Sequence, residues 1–231
     1  MSIAIIADSH LGDPRGELQD FLDQLRELPS RGCRRLILLG DIFHVWVGNP
    51  KFETEEVRQV TALLAELKQD GIRLDYVEGN RDFFLAHSPW APLFEELGDE
   101  VAFEVDGVRY LAVHGDGLDD RDRQYRFWRW LSKSLPVRLF IRLLPGSVAR
   151  WLMLSTERRL AQTNFKHRQR LPEDAILRYA RRRFEQGHEV LYLGHFHKPR
   201  QWSVSGGEVR LLDAWFNHGH VEWVEEPMDR G

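Results

Sequence analysis

The chain is nearly devoid of cysteine and has no long apolar run. Its single cysteine, Cys33, cannot close an internal disulfide, and zinc sites built on two or more thiolates are excluded. The most apolar late stretch, Leu135 to Leu144, is interrupted by Pro136, Arg138 and Arg142 and closed by Pro145. It falls well short of the ~20 uninterrupted apolar residues of a membrane span. The opening MSIAIIADSH reaches an acid after five apolar-leaning residues, too soon for a signal peptide. Internal repeats and low-complexity tracts are absent. These absences predict a soluble, cytoplasmic protein.

What is present is a foldable composition. The 231 residues are 42% hydrophobic and 29% charged, which excludes a mostly disordered chain. At ~150 residues per domain, this length fits one large domain or one domain with an insertion. A net charge of -4 conceals a strong asymmetry: Arg121 to Arg183 holds 17 Lys/Arg against four acids, while the remainder is strongly acidic. The bland reading is a solvated basic helical face; the sharper one is a surface for an anionic partner. Phe127, Trp128, Trp130, Leu131, Leu139, Phe140, Leu143 and Trp151 are among the apolar residues interleaved with these arginines. Basic residues mixed with Trp, Phe and Leu over roughly 20–30 residues describe an interfacial amphipathic segment and favour lipid over nucleic acid. The same helices could instead bury their apolar faces in one another.

Apolar runs at Ser2–Ala7, Arg35–Leu39, Ile72–Val77 and Glu189–Leu193 read as buried strands. Helical spacing marks Leu18 to Leu28 and Glu53 to Gln69, and a short helix is predicted over Pro89 to Leu97. Val101–Val105 and Val108–Val113 form a hairpin across Asp106-Gly107, and a second hairpin surrounds Ser205-Gly206-Gly207. Val221–Val224 is a last strand. The predicted class is layered α/β with mixed β-sheets flanked by helices, residues 1–231 forming one domain and residues 121–170 a helical lid inserted in it.

Five strand ends carry metal-ligand residue types: Asp8-Ser9-His10, Gly40-Asp41, Gly79-Asn80-Arg81-Asp82, His114-Gly115-Asp116 and Gly194-His195-Phe196-His197. In an open α/β sheet, ligands bind beyond the carboxyl ends of the strands. Alternation along an extended chain would aim Asp8 with His10, and His195 with His197, at one point each. Each element alone is common; their conjunction, each just after an apolar run, is the signal. Carboxylate, imidazole and amide donors without thiolate suit Mn²⁺, Fe²⁺, Zn²⁺ or Mg²⁺.

This order of motifs resembles the calcineurin-like metallophosphoesterase superfamily over nearly the whole chain. The resemblance implies one metal held by Asp8, His10, Asp41 and His197, and a second by Asp41, Asn80, His114 and His195, with Asp41 bridging. Such a cation pair lowers the pKa of water and neutralises charge on phosphoryl oxygens. Many members carry a histidine after Gly-Asn; here Arg81 stands there. Arginine cannot serve as a general acid, but it can clamp phosphate. That favours a phosphate leaving group, hence cleavage of a pyrophosphate bond, although a structural arginine paired with Asp82 is the plainer reading.

Gly79-Asn80-Arg81-Asp82-Phe83, Gly40-Asp41-Ile42-Phe43 before Trp46 and Gly48, and His114-Gly115-Asp116 followed by Asp122 and Tyr125 resemble the UDP-2,3-diacylglucosamine pyrophosphatases of lipid A synthesis. That resemblance implies hydrolysis to UMP and 2,3-diacylglucosamine 1-phosphate, two Mn²⁺ ions, and a peripheral place on the inner membrane. It implies substrate contacts at Asn80, Arg81, Asp122, Asn164, Lys166 and His195. His44, Asn49-Pro50, Leu160, Leu193 and Leu212-Asp213-Ala214-Trp215 depart from the family pattern, none at an expected metal ligand. The alternatives are a related hydrolase acting on another nucleotide diphosphate or phosphodiester, and a non-catalytic scaffold. The remaining histidines (His44, His87, His167, His188, His218, His220) read as surface or satisfied groups, with His44 a candidate to hold a site residue in place. Trp215 and Phe216 read as core.

Overall fold

The computed structural model describes residues 2–12, 17–118, 123–146, 148, 155, 171–204 and 206–225, with the side chains of residues 123–126 and 128 outside that description. The elements are, in chain order, β1 (Ser2–Ile6), α1 (Leu18–Glu27), β2 (Cys33–Leu38), β3 (Trp46–Val47), α2 (Glu55–Gln69), β4 (Arg73–Val77), β5 (Asp82–Phe83), β6 (Glu96–Gly98), β7 (Glu100–Val105) and β8 (Val108–Val113). They continue with α3 (Arg123–Ser132), α4 (Leu135–Leu143), α5 (Glu173–Glu185), β9 (Val190–Leu193), β10 (Arg200–Val204), β11 (Gly207–Leu211), α6 (Trp215–His218) and β12 (Glu222–Glu225).

Two five-stranded mixed sheets face each other. The first runs β12-β1-β2-β4-β6, with β12 antiparallel to β1 and the other pairs parallel. The second runs β10-β11-β9-β8-β7, with hairpins at both edges and parallel pairs at its centre. Strand alternation explains the layers. Ile3, Ile5, Ile37 and Val77 face the second sheet, where they meet Val101, Phe103, Ala112 and Tyr192. Ala4, Ile6, Leu36, Leu38 and Leu74 face outward onto Phe21, Leu22 and Leu25 of α1 and Val57, Val60 and Leu64 of α2. Leu111, Leu191, Leu193 and Val209 turn the other face of the second sheet onto Ile176, Ala180 and Phe184 of α5. Strand positions covered on both faces need apolar side chains, which is why β1 and the Leu36–Leu38 end of β2 read as apolar runs.

Local signals hold at the helix ends. Thr54 caps α2 by accepting from the Val57 amide (3.4 Å), and Pro136 lies in the first turn of α4. The helix expected over Pro89 to Leu97 does not form. The segment has a single 3₁₀ turn at Ala91–Leu93 and then β6, which pairs parallel with β4. Nine residues cannot offset helix nucleation, whereas the open edge of β4 supplies partners directly: Glu96 N donates to Asp75 Oδ1 at 3.0 Å. Among the described residues, no helix is long and apolar enough to cross a membrane.

Candidate metal centre

The strand ends singled out in the sequence meet at the common rim of the two sheets. Asp8, Asp41 and Asn80 follow β1, β2 and β4 of the first sheet; His114, His195 and His197 follow β8 and β9 of the second. The centre thus lies between two sheets and not in the crevice of one. The two-residue spacings work differently from the extended alternation expected of them. Asp8 (φ 54°), His10 (48°), Asp41 (52°), His195 (66°) and His197 (53°) all have left-handed backbones and make up five of seven such non-glycine residues among those described. Each such conformation costs roughly 1–3 kcal/mol and persists only where its surroundings over-determine it. Here the ladder continues past the strands: His10 N donates to Asp41 O at 3.0 Å and Leu39 N to Ile6 O at 2.7 Å.

Two groups of ligand atoms result, each within 4.8 Å: Asp8, His10 and His197, and Asp8, Asp41 and His114. Asp8 is common to both, whereas the family resemblance places the bridge at Asp41. His10 Nε2 and His197 Nε2 approach to 3.3 Å, and His197 Nε2 lies 3.1 Å from Asp8 Oδ1. His114 Nδ1 donates to Leu39 O (2.9 Å), which fixes the tautomer and turns the Nε2 lone pair inward. That Nε2, 3.7 Å from Asp41 Oδ1, and the Oδ1 of Asn80 are buried with no hydrogen-bond partner among the described residues. His195 belongs to neither group; its ring lies 5.2 Å from that of His114, and its amide donates to Asp8 Oδ2 at 2.7 Å. Close approach requires Gly79: a Cβ there would lie 2.3 Å from Asp41 Oδ1 and 2.9 Å from His114 Nε2.

The electrostatics agree with a cation site. Burial alone would raise Asp8, yet the rings of His197, His114 and His10 hold it well below the usual carboxylate range. Burial raises Asp41 despite His114 and Arg81. His114 is pushed up to about 9, because Asp41 and Asp8 outweigh its desolvation. Burial, reinforced by His114, brings His195 down to about 3. Converging carboxylate and imidazole donors, orphaned buried lone pairs and the absence of thiolate fit two divalent cations.

Three supporting contacts complete the rim; the sequence offered His44 as a candidate for one of them, without its partner, and gave no sign of the other two. Asp82 does not pair with Arg81; it accepts from the amides of Gly79 (2.7 Å) and Asp41 (3.1 Å) and so ties two strand ends together. Burial and the Asp41 charge raise its carboxyl to about 7. Arg81 is buried and donates through Nη1 to His44 Nδ1 (3.0 Å) and His44 O (2.9 Å), with Nε 3.6 Å from Asp41 Oδ2. Half of its fork is therefore used inside the protein. Trp215 is core, packed on Phe21, but Phe216 meets the ring of His10 at a tilt (5.4 Å between centroids) and that of His197 edge to face (5.0 Å). Its place at a helix start, with no metal-ligand neighbour in sequence, carried no signal.

A family model for the calcineurin-like phosphoesterase superfamily domain matches residues 1–128, which include Asp8, His10, Asp41, Asn80 and His114. The chain belongs to the calcineurin-like phosphoesterase superfamily. Its curated relatives include a UDP-2,3-diacylglucosamine hydrolase of Ralstonia nicotianae, 32% identical over 94% of this chain and 85% of that protein. A protein of the same description from Azotobacter vinelandii is 31% identical over 97% of this chain and 95% of its own length. Superfamily membership and the two ligand clusters make the chain a metal-dependent hydrolase.

Helices α3 and α4 are fastened to this rim. Arg129 donates to Asp116 (2.8 Å) and Asp99 (2.9 Å), and Lys133 donates to Glu78 (3.0 Å) and Gly79 O (3.2 Å). Ile141 and Leu144 pack on Val47 and Phe52. Their outer face is apolar: Phe127, Trp130, Leu135, Leu139, Phe140, Leu143 and Val148 are the exposed large hydrophobics among the described residues. The alternative in which these helices bury their apolar faces in one another is not what the described residues of α3 and α4 show. Asp122, Asn164, Lys166 and Leu160, and the side chain of Tyr125, lie outside the described residues.

Proposed function

We propose that this hydrolase cleaves the pyrophosphate bond of UDP-2,3-diacylglucosamine, giving UMP and 2,3-diacylglucosamine 1-phosphate for lipid A synthesis. The observation that carries the reading is Arg81, a permanent cation beside Asp41 where a proton donor would serve an alkoxide leaving group. A departing sugar phosphate needs little protonation, so a fixed guanidinium suits it. The naming of the full-length relatives supports the same substrate.

Asp8, His10, Asp41 and His197, with Asn80, His114 and His195, would hold two cations, Mn²⁺ in this proposal. When bound, the pair supplies an activated water and neutralises charge on the phosphoryl oxygens. The chain's own residues do the positioning. Asp82 locks the Asp41 and Gly79 amides, and His44 takes up one terminal nitrogen of Arg81, leaving Nη2 for a substrate phosphate. Asp122, Asn164 and Lys166 complete the substrate contacts. Residues 121–170 act as a lid, in which the exposed apolar side chains of α3 and α4 receive acyl chains and rest on the cytoplasmic surface of the inner membrane, where the enzyme is peripheral.

Mass-spectrometric product analysis with UDP-2,3-diacylglucosamine in detergent micelles and added Mn²⁺ tests the proposal. UMP and the lipid 1-phosphate should form far faster than bis-p-nitrophenyl phosphate is cleaved. A preference for the artificial diester defeats the lipid assignment and favours a general phosphodiesterase.

A further inference from the structure

A groove of about 510 Å³, lined by none of the metal-centre residues, opens between α4 and the loops at 47–51 and 84–89. It is large enough for a small ligand. Its lining includes Arg138, Arg142, Lys51 and His87, with no acidic residue, against apolar walls such as Phe84 and Ile141. Lys51 is engaged, donating to Arg142 O (2.8 Å) and Leu144 O (3.1 Å) at the end of α4. Arg138 and Arg142 form no ion pair among the described residues. Unpaired guanidinium groups beside an acid-free recess are a receptor for phosphate, which their planar forks match. Phe84, in the wall, holds a left-handed backbone (φ 62°) outside the metal centre, as residues that shape ligand sites often do.

The helix supplies the second half of the argument. Arg138, Ile141 and Arg142 of α4 line the groove, while Leu135 and Leu139 lie three residues before Arg138 and Arg142, hence beside them on the helix surface, and with Leu143 are exposed. A helix lying in a bilayer interface places such apolar residues among the acyl chains and its cations at headgroup depth. We infer that this groove binds the phosphate of an anionic membrane-lipid headgroup, at a site separate from the metal centre. The inference rests on the membrane association proposed above.

Co-sedimentation with vesicles of phosphatidylcholine alone, and of phosphatidylcholine mixed with phosphatidic acid, tests it. The wild-type chain should bind the mixed vesicles more tightly. The double variant Arg138→Gln/Arg142→Gln should lose about thirtyfold of that binding, the scale of two arginines at a charged bilayer surface. Arg181→Gln/Arg182→Gln, on exposed α5 positions, removes the same charge elsewhere and should lose far less. Arg138→Lys/Arg142→Lys should recover binding only in part and guards against a folding defect. Equal losses in the two Gln doubles, or wild-type binding by the groove double, overturn the site. Failure of the wild-type chain to bind either vesicle overturns the membrane reading and the site with it. Displacement from mixed vesicles by inorganic phosphate, absent in the groove double, would reassign the groove to free phosphate and overturn the lipid ligand.

Discussion

The rim of the two sheets and the outer face of α3 and α4 treat polarity in opposite ways. At the rim, Asp8, His10, Asp41 and His114 are charged or polar and buried, held by backbone hydrogen bonds and left-handed turns. On α3 and α4, Trp130, Phe140 and Leu143 are apolar and exposed. Both invert the usual distribution, and each inversion costs stability that a correctly folded monomer has no structural reason to bear. The first is what preorganised chemistry requires, and the second is the surface that the proposed acyl-chain and membrane contacts would use. Their meeting point is short: Arg129 and Lys133 link the helix directly to the loops that follow β8 and β4.

The sharpest way to break the comparison is to empty the rim. Asp8→Ala removes the carboxylate shared by both ligand groups. Because a catalytic cation contributes several kcal/mol of transition-state stabilisation, turnover should fall by about a thousandfold or more. Elemental analysis of the purified variant should find less than the wild-type metal content.

Next comes Gly79→Ala, whose Cβ would crowd Asp41 Oδ1 and His114 Nε2. A displacement near 1 Å should cost about a hundredfold in kcat. Calorimetric titration with Mn²⁺ should register weaker binding, and unchanged binding would show that the rim tolerates the methyl group.

Protons are a milder perturbation. In the metal-free fold His114 is raised to about 9, so a cation must displace its proton at neutral pH. Mn²⁺ affinity should therefore climb as pH rises and level off above about 9, with proton release detected calorimetrically in buffers of different ionisation enthalpy. The sign for folding is opposite. The raised value stabilises the metal-free protein fully below about 6.5, and this contribution is lost as pH rises through about 9. Thermal melting across that range reads it out, and His114→Gln should remove the slope.

The smallest effect falls on the other region. Leu143→Ser alters a side chain that is 82% exposed. Unfolding free energy should change by no more than about 0.5 kcal/mol. Hydrolysis of the micellar lipid substrate should nevertheless slow, with KM rising more than kcat falls; a large drop in stability would place Leu143 in a packed face and end the contrast.

Much of the rim was readable before the fold. Apolar runs ending in Asp8, Asp41 and Asn80 announce strand ends, and the H-G-D and G-H-F-H segments complete the set. Apolar runs, hairpin signals and period-3.6 spacing located the main strands and two of the three flanking helices, α1 and α2, because burial acts residue by residue along an element; α5 was read only as part of the basic helical region. Pairing across the chain left no such trace. Nothing adjacent to Asp82 says that it serves two amides, nothing near His44 says that it holds Arg81, and Phe216 gives no sign of its contact with two imidazoles. β6 escaped for a related reason: an edge strand's stability comes from its neighbour β4, and its own few residues carry no periodic signature.

The amino-acid order alone determined which donor types this protein offers, which of them follow strands, and where basic and apolar residues intermix. These are properties of single residues and their near neighbours, written directly in composition and spacing. Tertiary structure decided that two sheets, and not one, supply the ligands, that Asp8 belongs to both clusters, and that Leu135, Leu139, Phe140 and Leu143 of α4 are exposed among the described residues. Those outcomes depend on distances between segments far apart in the chain, which are set only when the layers pack.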